Sequence, residues 1–133
     1  MSVLFINPED RFKVTVKYRA EEGIVKILDD DDKAKDGDES ITITCRKPNF
    51  ESSQLILHAS TIFTENGQPV VDMLRVRKAL IYHLTVAWDA TDDNGKPIPL
   101  GPEKISAMHP SIAAALCGKI EVEMGDPVGL FLG

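Results

Sequence analysis

The chain has 133 residues, the length of one domain, and its 43% hydrophobic and 27% charged residues are typical of a globular protein with a core. A formal net charge of −6 argues against a nucleic-acid binder, because such proteins need a basic face to displace counterions from phosphates. No stretch reaches the roughly 18 apolar residues of a membrane-spanning helix, and residues 1–6 lack the basic segment of a secretory signal, so we predict a cytoplasmic protein without a membrane or nucleic-acid partner.

The first 47 residues have the patterns of β-strands. Hydrophobic and polar side chains alternate along residues 12–18, and this alternation is typical of a half-buried strand. A short apolar run at residues 24–28 follows a turn signal that contains Gly23, and the alternation returns at residues 41–45. These segments predict a small N-terminal antiparallel sheet or hairpin.

Residues 29–39, between the last two of these strands, are mostly acidic. So many like charges repel one another and bury no apolar surface, which favours a solvated, mobile loop. Two other interpretations are weaker: residues 29–33 match an enteropeptidase cleavage site, and residues 36–38 suggest calcium, although the carboxylate offsets of an EF-hand are missing. We therefore predict a solvated loop.

The periodicity becomes helical in the second part of the chain. We predict a first helix over residues 49–64, with Asn49 or Ser52 as its N-cap and a stop at residues 65–69. Its apolar positions are Leu55, Ala59, Ile62 and Phe63. The longest helix is predicted over residues 70–88, where one stripe faces the core. This stripe consists of Val70, Leu74, Ile81, Leu84 and Trp88, with Met73, Leu80 and Ala87 beside it.

A turn-rich connector follows at residues 89–100, with Asn-Gly at its centre. Proline opens each of the last two predicted helices, because its missing N–H has no cost in the first turn of a helix. The first of these is a short helix over residues 101–109, and the second extends from Pro110 to about Met124.

The order of the elements, strands first and helices afterwards, predicts an α+β fold. We predict a single domain over residues 1–133, in which a small N-terminal antiparallel sheet or hairpin is followed by a C-terminal cluster of about four helices. Its parts are a strand-rich segment at 1–47, a helical segment at 48–124 and a loose tail at 125–133.

The sequence contains no motif that would carry catalysis or bind a phosphate group. The Gly-x-Ser-x-Gly nucleophile motif and the glycine-rich phosphate loops are both missing. Cysteines and histidines occur singly, whereas zinc ligands cluster at tight spacings. They are Cys45, Cys117, His58, His83 and His109. We therefore predict no enzyme and no catalytic, cofactor or metal site, with reduced, partly buried thiols at Cys45 and Cys117.

Arg75, Arg77 and Lys78 form a basic cluster on the longest predicted helix. Arg75 and Lys78 are three positions apart and share a face, while Arg77 points elsewhere. A solvated helix face is the plain interpretation of this cluster. The alternative is a docking site for an acidic partner, such as a neighbouring copy that presents residues 29–32.

The end of this helix and the connector after it carry an ordered set of features: a Trp-Asp pair, an acidic turn with Asn-Gly, a Lys-Pro-Ile-Pro segment and two short helices opened by proline. The positions are Trp88, Asp89, Asn94, Gly95, Pro97 and Pro99, followed by Pro102 and Pro110. In this order the chain resembles the tail assembly chaperones of long-tailed bacteriophages, and the similarity covers roughly residues 70–123. The motif residues look structural: Trp88 is predicted to anchor the turn in the core, and the prolines stiffen it.

The resemblance implies a small protein without enzymatic activity that binds the tape measure protein, helps to recruit tail tube subunits and is absent from the mature virion. It would act in the cytoplasm of the infected bacterial host. Many copies along one client are expected, which makes self-association a further expectation. A longer form made by translational frameshift is also implied, and Leu130, Phe131 and Leu132 could be encoded by a run of T, which would suit a slippery site.

The main alternative is a structural protein of the virion, in the tail or at the head–tail joint, because the N-terminal strands also suit a β-rich building block. A small hydrolase and a nucleic-acid regulator are further alternatives, opposed by the missing motifs and by the acidic charge. For the chaperone, the candidate partner contacts are Arg75, Arg77 and Lys78.

Overall fold

The sheet predicted for the N-terminal half is present in the computed structural model, which describes residues 4–124. Strand β1 (Arg11–Glu21) lies between β2 (Ile24–Leu28) and β3 (Glu39–Arg46), and both pairings are antiparallel. Helices follow toward the C-terminus, so the α+β prediction is confirmed. They are α1 (Phe50–Ser60), α2 (Met73–Leu84), α3 (Pro102–Ser106) and α4 (Pro110–Met124).

The alternation along β1 and β3 builds one face of the core, since every second side chain of a strand points to the same side. Val14 and Val16 of β1 lie opposite Ile43 and Ile41 of β3, and all of these side chains are buried. Cys45 is the next residue on this face and is also buried. The predicted inward positions of these strands therefore form the core side of the sheet.

The first predicted helix turns a different face to the core. Of the two predicted N-caps, Asn49 is the one that caps α1: its side chain accepts from the backbone N–H of Ser52, and the Ser52 hydroxyl accepts from the Asn49 N–H. The predicted stripe is wrong, because Leu55 and Ala59 are exposed whereas Ile56 is buried. The buried side of α1 is thus one position away from the predicted one.

Helix α1 ends at Ser60 because the residues after it form a hairpin, in which β4 (Thr61–Phe63) pairs with β5 (Pro69–Val71). β-Branched and aromatic side chains favour a strand here. Gly67 reverses the chain at a φ of 78°, a left-handed conformation that glycine adopts without a steric cost. Residues 65–69, predicted only to stop a helix, therefore close a hairpin.

The longest predicted helix is shorter at both ends. Helix α2 begins after Asp72, whose carboxylate accepts from the backbone N–H of Leu74, and it ends where strand β6 (Thr85–Trp88) begins. β-Branched residues open β6, and the free edge of β3 supplies its pairing partner. The sheet order is β2-β1-β3-β6, so the helical segment predicted at 48–124 also contains strands that the prediction lacked, namely β4, β5 and β6.

The core face of α2 also differs from the predicted stripe. Ile81 and Leu84 are buried as predicted, whereas Leu74 is 77% exposed. Val76 and Ala79, which the predicted stripe did not include, are buried. The exposed residues on or beside that stripe are Val70, Met73, Leu74 and Ala87. The first turn of α2 therefore presents apolar side chains to solvent.

Helix α4 covers the core face of the sheet. It begins at Pro110 and ends at Met124, as predicted, and it packs on β1, β2 and α2. Its buried side chains are Ile112, Leu116, Cys117 and Ile120. None of the helices in residues 4–124 has the length and apolar character needed to cross a membrane. The predicted tail at 125–133, including residues 130–132, lies outside the described residues.

The acidic segment between β2 and β3 is mostly exposed, as predicted, but an arginine of β1 holds it. Arg19 donates from Nε to Asp38 Oδ1 at 2.6 Å, and from Nη2 to Asp38 Oδ2 and to the Lys33 carbonyl, each at 2.9 Å. Asp38 also accepts from the backbone N–H of Lys35. The Arg19 guanidinium and this N–H lower the pKa of Asp38 to about 2.

Acid is expected to destabilise the fold partly through Asp38. A carboxyl group whose pKa is about 2 in the folded state, against an ordinary value of 3.8, stabilises that state fully above about pH 4 and loses this contribution as the pH falls toward 2. We expect Asp38→Asn to lower the urea midpoint of unfolding at neutral pH, and to flatten the decline of this midpoint between about pH 4 and 2.

Asp36→Asn is the matched control, because it removes the same charge from the same loop. The Asp36 carboxylate forms no ion pair with any residue that the structure describes. This variant should keep the acid sensitivity of the wild type. If the decline of the urea midpoint with falling pH flattens equally in both variants, the pairing of Arg19 with Asp38 is not the cause of the acid sensitivity.

Candidate polypeptide-binding surface

The two cysteines are buried thiols with a reduced capacity for nucleophilic chemistry. Both are free, Cys45 on β3 and Cys117 on α4. Burial raises the pKa of each thiol to about 11, which leaves little thiolate at neutral pH. Within residues 4–124, no group of three or more His, Cys, Asp and Glu side chains could hold a metal ion.

The basic cluster predicted from the sequence lies on the solvent side of α2, where Arg75, Arg77 and Lys78 are all exposed. Arg75 has a loose partner in Asp72, with 3.8 Å between Nε and Oδ2. Arg77 and Lys78 form no ion pair with any described carboxylate, and Lys78 Nζ instead lies 5.5 Å from the centre of the Tyr82 ring. These cations give this side of α2 a positive potential.

A cleft lies on each side of α2, and the two clefts share Lys78 and Tyr82. The α1–α2 cleft has a volume of about 680 Å³ and contains Arg75. Its lining residues are Ala59, Arg75, Lys78, Ala79, Tyr82 and His83. The α2–α4 cleft has a volume of about 380 Å³ and contains Arg77. The two arginines of the cluster therefore open onto different clefts, with Lys78 and Tyr82 on the ridge between them.

Apolar side chains line most of the α2–α4 cleft. Leu74 and Ile81 contribute from α2, and the opposite wall comes from α3, α4 and the turn between them. The apolar residues of that wall are Ile105, Met108, Pro110, Ala113, Ala114 and Cys117. Because Leu74 is exposed and Ile81 is buried, the α2 wall descends from solvent to the core.

Tyr82 fixes the position of α3 against α2. Its hydroxyl donates to the Pro102 carbonyl at 2.9 Å and forms a second hydrogen bond with the Ser106 hydroxyl. At the floor of the cleft, Cys117 Sγ donates to the Arg77 carbonyl at 3.3 Å, which links α4 to α2. These bonds link α3 and α4 to α2 along the cleft.

The sequence contains a signal for this surface that the predicted stripe concealed. Leu74, Arg77, Lys78 and Ile81 are spaced at i, i+3, i+4 and i+7, so they share one side of α2. Two cations inside an apolar stripe do not suit a buried face, whereas exposed apolar groups edged by charge are typical of binding surfaces. The wall from α3 and α4 has no comparable signal, because it depends on how these helices dock.

The motif that carries the family resemblance forms a corner after β6. Trp88 is half-buried, and its Nε1 donates to the Ile98 carbonyl at 2.7 Å, which joins the two ends of the connector. Asp92 accepts from the backbone N–H of Asn94, next to Gly95 at a φ of 78°. The described linings of the two clefts on α2 include none of the motif residues, which are Trp88, Asp89, Asn94, Gly95, Pro97 and Pro99.

The sheet end away from α2 is acidic. Cys45 pairs with Thr85, directly after α2, so α2 joins the sheet at the end opposite to Glu39. Near Glu39 lies a cleft of about 540 Å³. Its carboxylates are those of Glu39, Asp89, Asp92 and Asp93. Within the described residues, the acidic cleft therefore lies at the end of β3 opposite to the junction between α2 and β6.

Comparisons of the chain with models of known protein families, with curated proteins and with solved structures found no significant match. Function is therefore inferred from the surface of α2 and from the order of features in residues 88–112.

Proposed function

We propose that this chain is a tail assembly chaperone of a long-tailed bacteriophage. It binds the tape measure protein in the cytoplasm of the infected bacterial host, helps to recruit tail tube subunits, and is left out of the mature virion. It catalyses no reaction. Its action is to cover apolar surface on the client until assembly buries that surface.

The surface of α2 carries this proposal. A long helical client exposes apolar stripes before assembly, and such stripes aggregate unless another surface covers them. Leu74 is 77% exposed at the entrance of an apolar cleft, beside Arg77 and Lys78, which form no ion pair with a carboxylate among residues 4–124. An exposed apolar group edged by charge is what a polypeptide-binding surface requires, because apolar burial supplies affinity and charge supplies orientation.

Co-expression with the tape measure protein of the same phage tests the proposal. We expect the tape measure protein to move from the insoluble to the soluble fraction when this chain is present, and the two proteins to co-purify. Omission of the chain is the control. A tape measure protein that stays insoluble in the presence of a well-folded chain would overturn the proposal.

Mass spectrometry of purified virions separates the chaperone from its main alternative. A chaperone is expected to be absent from finished particles or present only in traces. Stoichiometric amounts of the chain in the virion would instead support a structural protein of the tail or of the head–tail joint.

A further inference from the structure

The α2–α4 cleft has the dimensions of a site for a short stretch of helix. Leu74 and Ile81 are seven residues apart on α2, which corresponds to about 10 Å or two helical turns. The volume of about 380 Å³ exceeds twice that of a cavity of roughly 150 Å³ that accepts a benzene molecule. The cleft therefore has room for two or so aliphatic side chains from one face of a ligand.

A helical ligand suits this cleft better than an extended one. The walls are helices α2, α3 and α4, whose backbone groups are largely bonded within each helix, and none of the strands described in residues 4–124 lines the cleft. An extended peptide would lose water from its own N–H and C=O groups without gaining partners here. A helix satisfies those groups internally and offers apolar side chains at helical spacing.

The charge on the edge of the cleft indicates the flank of the ligand. Arg77 and Lys78 line the cleft from α2 and have no carboxylate partner among residues 4–124. Acidic side chains beside the apolar face of the ligand would pair with them, whereas basic ones would be repelled. Arg75 opens onto the other cleft and is already near Asp72.

We infer that the α2–α4 cleft binds one amphipathic helix of a partner polypeptide, with apolar residues at i, i+3 or i+4 and i+7 and acidic residues along one flank. This inference rests on the proposed function only in naming the partner as a polypeptide. It assigns the contact to Leu74 and Arg77 and leaves Arg75 outside the site.

Fluorescence anisotropy with designed peptides tests the inference. The probe is a labelled peptide of about 18 residues, long enough to form an isolated helix, with leucines at the stated spacing, glutamates on one flank and alanines elsewhere. One comparison peptide carries lysines in place of the glutamates, and another has the same composition in scrambled order. We expect the acidic amphipathic peptide to bind at least about tenfold more tightly than either.

Charge reversal on α2 provides matched variants of the full chain. We expect Arg77→Glu to weaken binding of the acidic peptide by about tenfold or more, while Arg75→Glu changes it by less than about twofold. Both side chains are exposed, so circular dichroism and urea unfolding should show a wild-type fold in each variant. Equal loss in the two variants, or equal binding of the scrambled peptide, would overturn the inference.

A second copy of the chain is the other occupant to test. Sedimentation velocity at rising concentration would detect it, and a self-association that Arg77→Glu abolishes, together with no peptide binding, would overturn the inference.

The two proposals can fail separately. If the Arg77→Glu variant still solubilises the tape measure protein, the α2–α4 cleft is not the binding site. If the acidic peptide binds but the chain does not solubilise the tape measure protein, the proposed chaperone function is wrong.

Discussion

Leu84→Ala is expected to lower the free energy of unfolding by about 2–5 kcal/mol, and Leu74→Ala by no more than about 0.5 kcal/mol. The helical periodicity places both leucines on one buried stripe, but Leu84 is fully buried and Leu74 is 77% exposed. Removal of a buried side chain costs its transfer free energy and leaves a cavity, while an exposed one loses little on truncation.

Urea unfolding monitored by circular dichroism measures both values, and Trp88 provides a second probe through its fluorescence. Similar large losses in the two variants would mean that Leu74 is buried and that the α2–α4 cleft does not exist as described. If Leu74→Ala instead weakens peptide binding and leaves the free energy of unfolding unchanged, then Leu74 serves binding while Leu84, on the same helix, serves stability. That combination is the expected result.

The native chain is expected to react with iodoacetamide at least about a hundredfold more slowly than the unfolded chain at a pH below 9. Burial raises the pKa of Cys45 and Cys117 from 9.0 to about 11, and the thiolate fraction falls about tenfold for each pH unit of such a shift. Enclosure of the sulfur atoms slows the reaction further, since neither residue exposes more than 2% of its surface.

The same shift predicts how alkali affects stability. A thiol whose pKa is raised on folding stabilises the folded state fully below the unfolded value of 9.0, and this contribution is lost as the pH rises toward 11. For the alkylation experiment, Cys45→Ala and Cys117→Ala each leave one thiol, so the rate measured in each variant belongs to the cysteine that remains. A thiol that reacts at the unfolded rate in the native chain would contradict the packing of β3 or of α4, respectively.

The parts of the fold that follow from local patterns could be predicted from the sequence. Alternation along β1 and β3 identified their core faces, because the period of a strand is independent of its partners. Pro110 and the apolar spacing after it gave α4 its bounds. The α+β class followed from the order of these segments.

The parts of the fold that depend on residues far apart in the chain could not be predicted from local sequence patterns. Strand β6 directly follows α2, and its pairing partner is the edge of β3, roughly 40 residues earlier in the chain. Helical spacing runs through both segments, so only the tertiary pairing separates them. The same holds for Arg19, whose partner Asp38 is set by the path of the chain from β2 to β3.

The sequence predicts the charged residues of the candidate surface but not the apolar cleft beside them. Arg75, Arg77 and Lys78 could be singled out by their charge, and helical geometry separates the first two by face. Which of them borders an apolar cleft depends on the docking of α3 and α4, which no periodicity encodes. Helical periodicity places Leu74 in the core for the same reason: hydrophobicity alone does not distinguish a buried side chain from one that binds a partner.

Hydrogen exchange of the chain, free and bound to co-purified tape measure protein, tests most directly whether α2 carries the binding surface. Slower exchange is expected in residues 74–82 and 105–117, the segments that form the α2–α4 cleft, while residues 29–38 of the acidic loop keep the rate of the free chain. Protection confined to the acidic loop or to the exposed face of the sheet, with no change along α2, would contradict the assignment.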